Sequence, residues 1–192
     1  MSRPGQIYVL SAPSGAGKST VGARVRRMLP DLAYSVSLTT RPPRPGERDG
    51  VDYHFVSREE FLRRIAAGEM AEWAEIYGNL YGTSAKVLQE TLEEGRDLFL
   101  DIDVEGAAQL RRRFPDGVFI FLEPPSLAEL ERRLRARGTE DEATIQRRLA
   151  RAASELAQAP LYDHRVVNDQ VERAAAEIVE IIRRDRARRA SA

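Results

Sequence analysis

The sequence contains no cysteine, which excludes a disulfide framework, an iron–sulfur site and a thiolate zinc site. Histidine is almost as scarce: His54 and His164 are the only two, and their separation argues against a histidine-built metal centre. Both read as structural. Neither sign of charge prevails, with 30 basic and 30 acidic side chains, so the basic excess of a nucleic-acid binder is missing. No apolar run approaches the roughly 18 residues of a membrane span. Met1 to Gly5 is too short and polar for a secretory signal. No nucleic-acid or membrane partner is expected, and the expectation is a soluble, cytoplasmic protein. What the chain does have is 42% hydrophobic and 31% charged residues over 192 positions. That composition suits one globular domain with at most a small inserted subdomain.

Ile7 to Leu10 is a continuous apolar run, the pattern of a strand buried on both faces. A glycine-rich stretch, Ser11 to Ser19, follows at once. Val21, Val25, Met28 and Leu29 then recur at helical spacing until Pro30-Asp31 stops them. From Thr40 to Tyr53 the chain is rich in Pro, Arg, Gly and Asp without apolar period, a loop long enough to be functional. Ser57 and Glu60 have capping-box spacing ahead of Phe61, Leu62 and Ile65, and Gly68 ends that helix. Short strands are predicted within Met70 to Thr83, around a Gly78-Asn79 turn signal. Leu98, Phe99, Leu100 and Ile102 form a second buried strand, interrupted by Asp101 and Asp103. At alternate strand positions these two aspartates would share a face, and strand ends of open α/β sheets are where ligands bind. Val118 to Leu122 form a third strand. Ser126 and Glu129 repeat the capping spacing before Leu127, Leu130 and Leu134, with Gly138 closing the helix. Ile145, Leu149 and Leu156 mark another helix, Val166-Val167 a last strand, and Val171, Ala175, Ile178 and Ile182 the final helix. Strands alternating with helices imply an α/β fold, a parallel sheet with helices on both faces.

Ala12-Pro13-Ser14-Gly15-Ala16-Gly17-Lys18-Ser19-Thr20 fits the P-loop pattern G-x-x-x-x-G-K-[ST] except that Ala12 replaces the first glycine. Ala12 stands at the strand end, where a negative φ suffices. Gly15 and Gly17 let successive N–H groups point into one hollow, and those donors with the following helix N-terminus bind phosphate. Lys18 would reach the β- and γ-phosphates and the Ser19 hydroxyl would ligate Mg²⁺. Joining two anionic nucleotides also needs arginines, which stay charged and bind phosphate as a fork. Arg41, Arg44 and Arg48 supply them early, and the helices from Arg132 to Arg148 supply them late.

Several further stretches resemble the guanylate kinase family: Ser35 to Glu47 with Gly50 to Phe55, Glu72-Trp73, Gly78 to Thr83, Leu100 to Gly106, Pro124-Pro125-Ser126 and Arg137 to Glu140. The similarity runs from about Gly5 to Arg184. It implies a P-loop NTPase-type core (about 5–34, 87–130 and 150–184), an inserted GMP-binding subdomain (about 35–86) and a helical lid (about 131–149). It implies transfer of the ATP γ-phosphoryl group to GMP, and to dGMP, with Mg²⁺. By resemblance, Arg41, Arg44, Tyr53 and Tyr81 hold the acceptor phosphate. Glu72 receives the guanine N1–H and 2-amino group with help from Asp103, while Ser37 and Thr83 face O6 and N7. Thr83 stands where many relatives carry serine, an equivalent hydroxyl. Arg133, Arg137 and Arg148 resemble the lid and donor-side arginines that act with Lys18 and Arg41 in catalysis, and Asp101 joins Ser19 near Mg²⁺.

Two other readings use the same loop: a P-loop kinase for another acceptor, such as a ribosyl bisphosphate, and a non-catalytic phosphopeptide-binding module. The first would lack Ser37, Glu72, Thr83 and Asp103, and the second would carry a damaged P-loop. A regulatory GTPase would show an Asn-Lys-x-Asp guanine motif, which is missing. The subdomain and lid are expected to close around both nucleotides and exclude water, in a monomer or weak homo-oligomer.

Overall fold

The computed structural model describes residues 4–136 and 141–191. Met1–Val9 with Leu32–Gly117 form one compact unit, and Leu10–Asp31 with Val118–Ala192 form another. The strand β1 (Ile7–Ser11) contributes to both, and all five of its residues are buried. That explains the unbroken apolar run: a strand covered on two faces has no polar side to alternate with.

The first unit holds two kinds of sheet. β2 (Ala33–Tyr34) pairs in parallel with β7 (Leu98–Asp101). Four other strands form a separate sheet in the order β4-β3-β6-β5: β3 (Leu38–Thr39), β4 (His54–Phe55), β5 (Met70–Ile76) and β6 (Asn79–Ser84). β5 and β6 are antiparallel and joined by Tyr77-Gly78, both at positive φ (48° and 80°), the requirement of a two-residue turn whose twist matches its strands. The turn thus sits one residue earlier than the Gly78-Asn79 signal placed it. Helix α2 (Arg58–Ala66) starts as predicted, with Ser57 Oγ accepting the Glu60 N–H at 3.1 Å. Its Phe61 packs with Leu38, Met70 and Leu80 in a small core. Two helices carry no prediction from the sequence, α3 (Ala85–Glu93) and α4 (Val104–Arg113). β7 ends at Asp101, and Asp103 is the N-cap of α4. The two aspartates therefore do not share a strand face.

The second unit contains α1 (Lys18–Met28), packed against the long α7 (Val171–Ala190). Its strands β8 (Val118–Glu123) and β9 (His164–Val167) pair in parallel. Between them lie α5 (Leu127–Ala136), α6 (Glu142–Leu156) and a short 3₁₀ turn at Ala159–Leu161. Ser126 Oγ accepts the Glu129 N–H at 3.1 Å, the second predicted capping bond. Leu130 and Leu134 of α5 bury against Ala152 of α6. Through β1 the larger sheet has the strand order β2-β7-β1-β8-β9, so the chain is an α/β protein with a parallel sheet flanked by helices. Arg137 and Gly138 lie outside the described residues. Among the described residues no helix is long and apolar enough to cross a membrane.

Candidate active site

The glycine loop of the second unit is shaped for an anion. Gly15 and Gly17 have φ of 90° and 91°, where any side chain is strained. Ala12 is not among the positive-φ residues, so the departure from the pattern leaves the backbone intact. Ala16 N–H donates to Pro13 O at 3.1 Å, closing a turn, and Gly17 caps α1. The first turn of α1, Lys18 to Thr20, has no acidic residue and no side-chain cap. The positive end of the helix therefore faces the loop without a carboxylate of its own, which suits an anion held there.

Three side chains of the same unit brace this loop from outside, and none was legible in the sequence. Asn168 is 3% exposed. Its Nδ2 donates to Ala16 O at 2.7 Å, and its own N–H donates to Glu123 O at 2.7 Å. A trans peptide points its C=O and N–H in opposite directions, so holding Ala16 O outward turns the Gly17 N–H away from Asn168. A Cβ on Gly17 would come within 2.6 Å of that Nδ2. Glu155 is also buried; its carboxylate accepts the Ser14 N–H at 3.3 Å and the Arg151 guanidinium at 2.7 Å. In sequence Arg151 and Glu155 look like an ordinary solvent-facing i,i+4 pair. Leu134 is the third brace: a Cβ at Gly15 would lie 2.9 Å from its Cδ2 and 3.0 Å from Leu130 Cδ1. Of the late arginines, Arg133 bonds the carbonyl of Asn168 at 3.0 Å and Glu129 at 2.8 Å. That links it through one residue to the loop. Arg148 is half-buried on α6.

The remaining predicted residues within the described part of the chain lie in the first unit, and direct contacts join two sets of them. In one, the Arg41 guanidinium lies 5.4 Å from the centroid of the Tyr53 ring and 5.8 Å from that of Phe55. Tyr53 and Tyr81 meet edge to face at 6.0 Å. Glu47, absent from the sequence-derived set, holds this arrangement. Its carboxylate accepts two Arg41 bonds at 3.0 and 2.8 Å and the Arg44 N–H at 2.7 Å. The Arg41 hydrogen bond holds the Glu47 carboxyl below its ordinary pKa, and Glu47 in turn raises Arg41. Burial first, then the charge of Asp101, pushes the Tyr53 phenol up to about 12. Tyr53 therefore keeps its proton at neutral pH, and an arginine flanked by phenol donors is suited to a phosphate dianion.

In the other group, Glu72 is 2% exposed and Thr83 fully buried, with Thr83 Oγ1 donating to Glu72 Oε1 at 2.6 Å. A carboxylate at that depth is costly without partners. Ser37 is buried nearby in the strand order, ahead of β3. Asp103 accepts the Glu105 and Gly106 N–H groups at 2.8 and 3.1 Å. Asp101 accepts the Tyr34 hydroxyl at 3.2 Å. Among the described residues no group of three or more His, Cys, Asp or Glu could hold a metal ion.

A family model described as "Guanylate kinase" matches residues 4–185. The guanylate kinase of Nitratidesulfovibrio vulgaris is 56% identical over 176 residues, 92% of this chain and 85% of that protein. That of Geobacter sulfurreducens is 52% identical over 182 residues, covering 95% and 90%. Among solved structures, the guanylate kinase from Anaplasma phagocytophilum superposes with a TM-score of 0.81 at 39% identity. It covers 96% of this chain and 87% of its own.

Proposed function

Because the chain belongs to the guanylate kinase family, we propose that it moves the γ-phosphoryl group of ATP onto GMP, and onto dGMP, giving ADP and GDP. The observation that carries the acceptor is the buried Glu72–Thr83 pair, in the same unit as the Arg41–Tyr53–Tyr81 cluster. Glu72 offers only acceptors, and guanine presents two donors to it, N1–H and the 2-amino group. Adenine offers an acceptor at N1 and no 2-amino group, so a buried carboxylate would go unsatisfied against it.

Thr83 has one proton, and that proton is committed to Glu72. When the base arrives, its donors take over the carboxylate and the Thr83 hydroxyl turns to O6 or N7. Ser37 sits on the same side of the base, and Asp103 supports Glu72 while capping α4. Arg41, Arg44, Tyr53 and Tyr81 bind the acceptor phosphate. On the donor side the loop amides from Ala12 to Thr20 and the Lys18 ammonium bind the β- and γ-phosphates. Arg133, Arg137 and Arg148 neutralise the charge that develops in transfer. The oxygen donors Ser19 and Asp101 suit Mg²⁺, which prefers carboxylate and hydroxyl oxygen and keeps several ligands from water and phosphate. Bound there, Mg²⁺ would neutralise and orient the triphosphate. The acceptor oxygen of GMP is already anionic, so no general base is required, and positioning and electrostatics supply the rate.

The same reading divides the chain into a core (about 5–34, 87–130 and 150–184), a GMP-binding subdomain (about 35–86) and a lid (about 131–149). It places the protein in the cytoplasm, as a monomer or weak homo-oligomer. Lys18 and Ser19 are both present in the loop, which favours catalysis over a phosphopeptide-binding role. ADP release from Mg·ATP, measured across GMP, dGMP, AMP and ribose phosphates, tests the proposal. Turnover is expected with the two guanine nucleotides. Consumption of another acceptor with GMP left untouched refutes it.

A further inference from the structure

Helix α4 has no role so far beyond its Asp103 cap, yet three of its residues serve the strand that carries Glu72. β5 is an edge strand of its sheet, so one side of its main chain lacks a strand partner. Gln109 takes that place at Trp73: its Nε2 donates to Trp73 O at 2.6 Å, and its Oε1 accepts the Trp73 N–H at 3.2 Å. One turn further along, Arg113 donates to Ala71 O at 2.7 Å. These bonds fall on both sides of Glu72, where the register of β5 against β6 shifts between Met70 and Glu72.

Gly106, on the same helix, is buried. A Cβ there would overlap Glu72 Oε2 and stand 2.9 Å from its Cδ. Gly106 lies inside regular helix and is not among the positive-φ glycines. The backbone therefore makes no demand for glycine at this position; the neighbouring carboxylate does. We infer that α4 sets acceptor specificity: Gly106 leaves the volume that the Glu72 carboxylate fills, and Gln109 fixes the main chain on which Glu72 stands. Both are positioning residues, since Glu72 is the group that meets the base. The inference rests on the reading of Glu72 as the receiver of guanine N1–H and the 2-amino group.

The test compares Gly106→Ala, Gln109→Leu and Glu72→Gln with GMP and IMP as acceptors, alongside Mg·ATP kinetics and thermal unfolding. IMP keeps N1–H and lacks the 2-amino group. Gly106→Ala should lower kcat/KM for GMP by about 30-fold or more, the scale of hydrogen bonds to a charged group. IMP should suffer less, so the preference for GMP over IMP shrinks by about tenfold. The KM for Mg·ATP should stay within about twofold. The unfolding midpoint should fall by only a few degrees, because the gain in helix propensity offsets part of the overpacking against Glu72. Gln109→Leu keeps the volume and removes both bonds to Trp73; it should show the same GMP-selective loss at about fivefold. If both variants handle GMP like the wild type while Glu72→Gln is impaired, the inference falls and the guanine reading stands. If Glu72→Gln is itself unimpaired, the guanine reading falls and takes the inference with it. Equal losses for GMP and ATP would make α4 merely structural and overturn the inference too.

Discussion

Asn168→Asp replaces a buried donor by an acceptor of the same shape, and its consequences for the donor nucleotide can be worked from the loop geometry. The wild-type amide gives a 2.7 Å bond to Ala16 O; the aspartate would set a carboxylate oxygen against that carbonyl. A buried acceptor stripped of its partner costs about 1–3 kcal/mol, and the buried charge adds to this. The simplest relief is rotation of the Ala16–Gly17 peptide, which swings the Gly17 N–H with it. Losing one amide bond to a charged phosphate is worth about 1.5–3 kcal/mol, or about 10- to 150-fold in kcat/KM for Mg·ATP at saturating GMP. Coupled ADP release with each substrate varied in turn is the assay, with thermal unfolding beside it. The KM for GMP should change by less than about threefold, because the altered bond lies in the donor loop. A variant that unfolds earlier but keeps kcat/KM for Mg·ATP within about twofold would refute the argument: Asn168 would then stabilise the unit without orienting the loop.

Lys18→Ala removes the charge proposed to follow the γ-phosphoryl group and should abolish turnover; a near-normal kcat in the same assay would contradict that role. Glu47→Ala frees Arg41 and Arg44 from their common anchor and should raise the KM for GMP about fivefold to tenfold, the worth of a charge-assisted pair at a largely buried site. Mg·ATP kinetics should not change, and an unchanged KM for GMP would remove Glu47 from the site. The Tyr53 phenol, ordinarily 10.0 and here pushed up to about 12, gives an alkaline signature. Below pH 10 both folded and unfolded chains hold this proton. Between about pH 10 and about pH 12 the unfolded chain releases it first, so stability drains as pH rises. Denaturant unfolding across that window should show a steeper loss for the wild type than for Tyr53→Phe; parallel curves would place the phenol in water.

The parts of the fold that sequence made legible are those with a local physical signature. Buried strands betray themselves as apolar runs, so β1 and β8 were plain. Ser57–Glu60 and Ser126–Glu129 were plain because a cap and its partner lie three residues apart. Helix α4 escaped because its buried side is small, with Val104, Gly106, Ala107 and Leu110, and because glycine argues against helix. That same glycine makes room for Glu72. α3 buries only Leu88 and Thr91, too little for a period. Strands β2, β3 and β4 have two residues each and exist only through their partners. In the candidate site, the P-loop and the residues proposed for the acceptor could be named because they sit in recognisable stretches. Their supports could not: Asn168 acts on a carbonyl 152 positions away and Gln109 on a main chain 36 positions away. Such bonds depend on the folded backbone rather than on any pattern of side chains.

Gly15 faces hydrocarbon as well as the hollow proposed for phosphate. With Leu134 and Leu130 pressed against the place where a side chain would begin, this position would have to stay glycine even in a descendant that had given up nucleotides altogether. Its presence is therefore a poor witness to enzymatic livelihood. The more truthful witnesses are Lys18 and Ser19, which stand outside the packed interior and whose replacement the fold would survive.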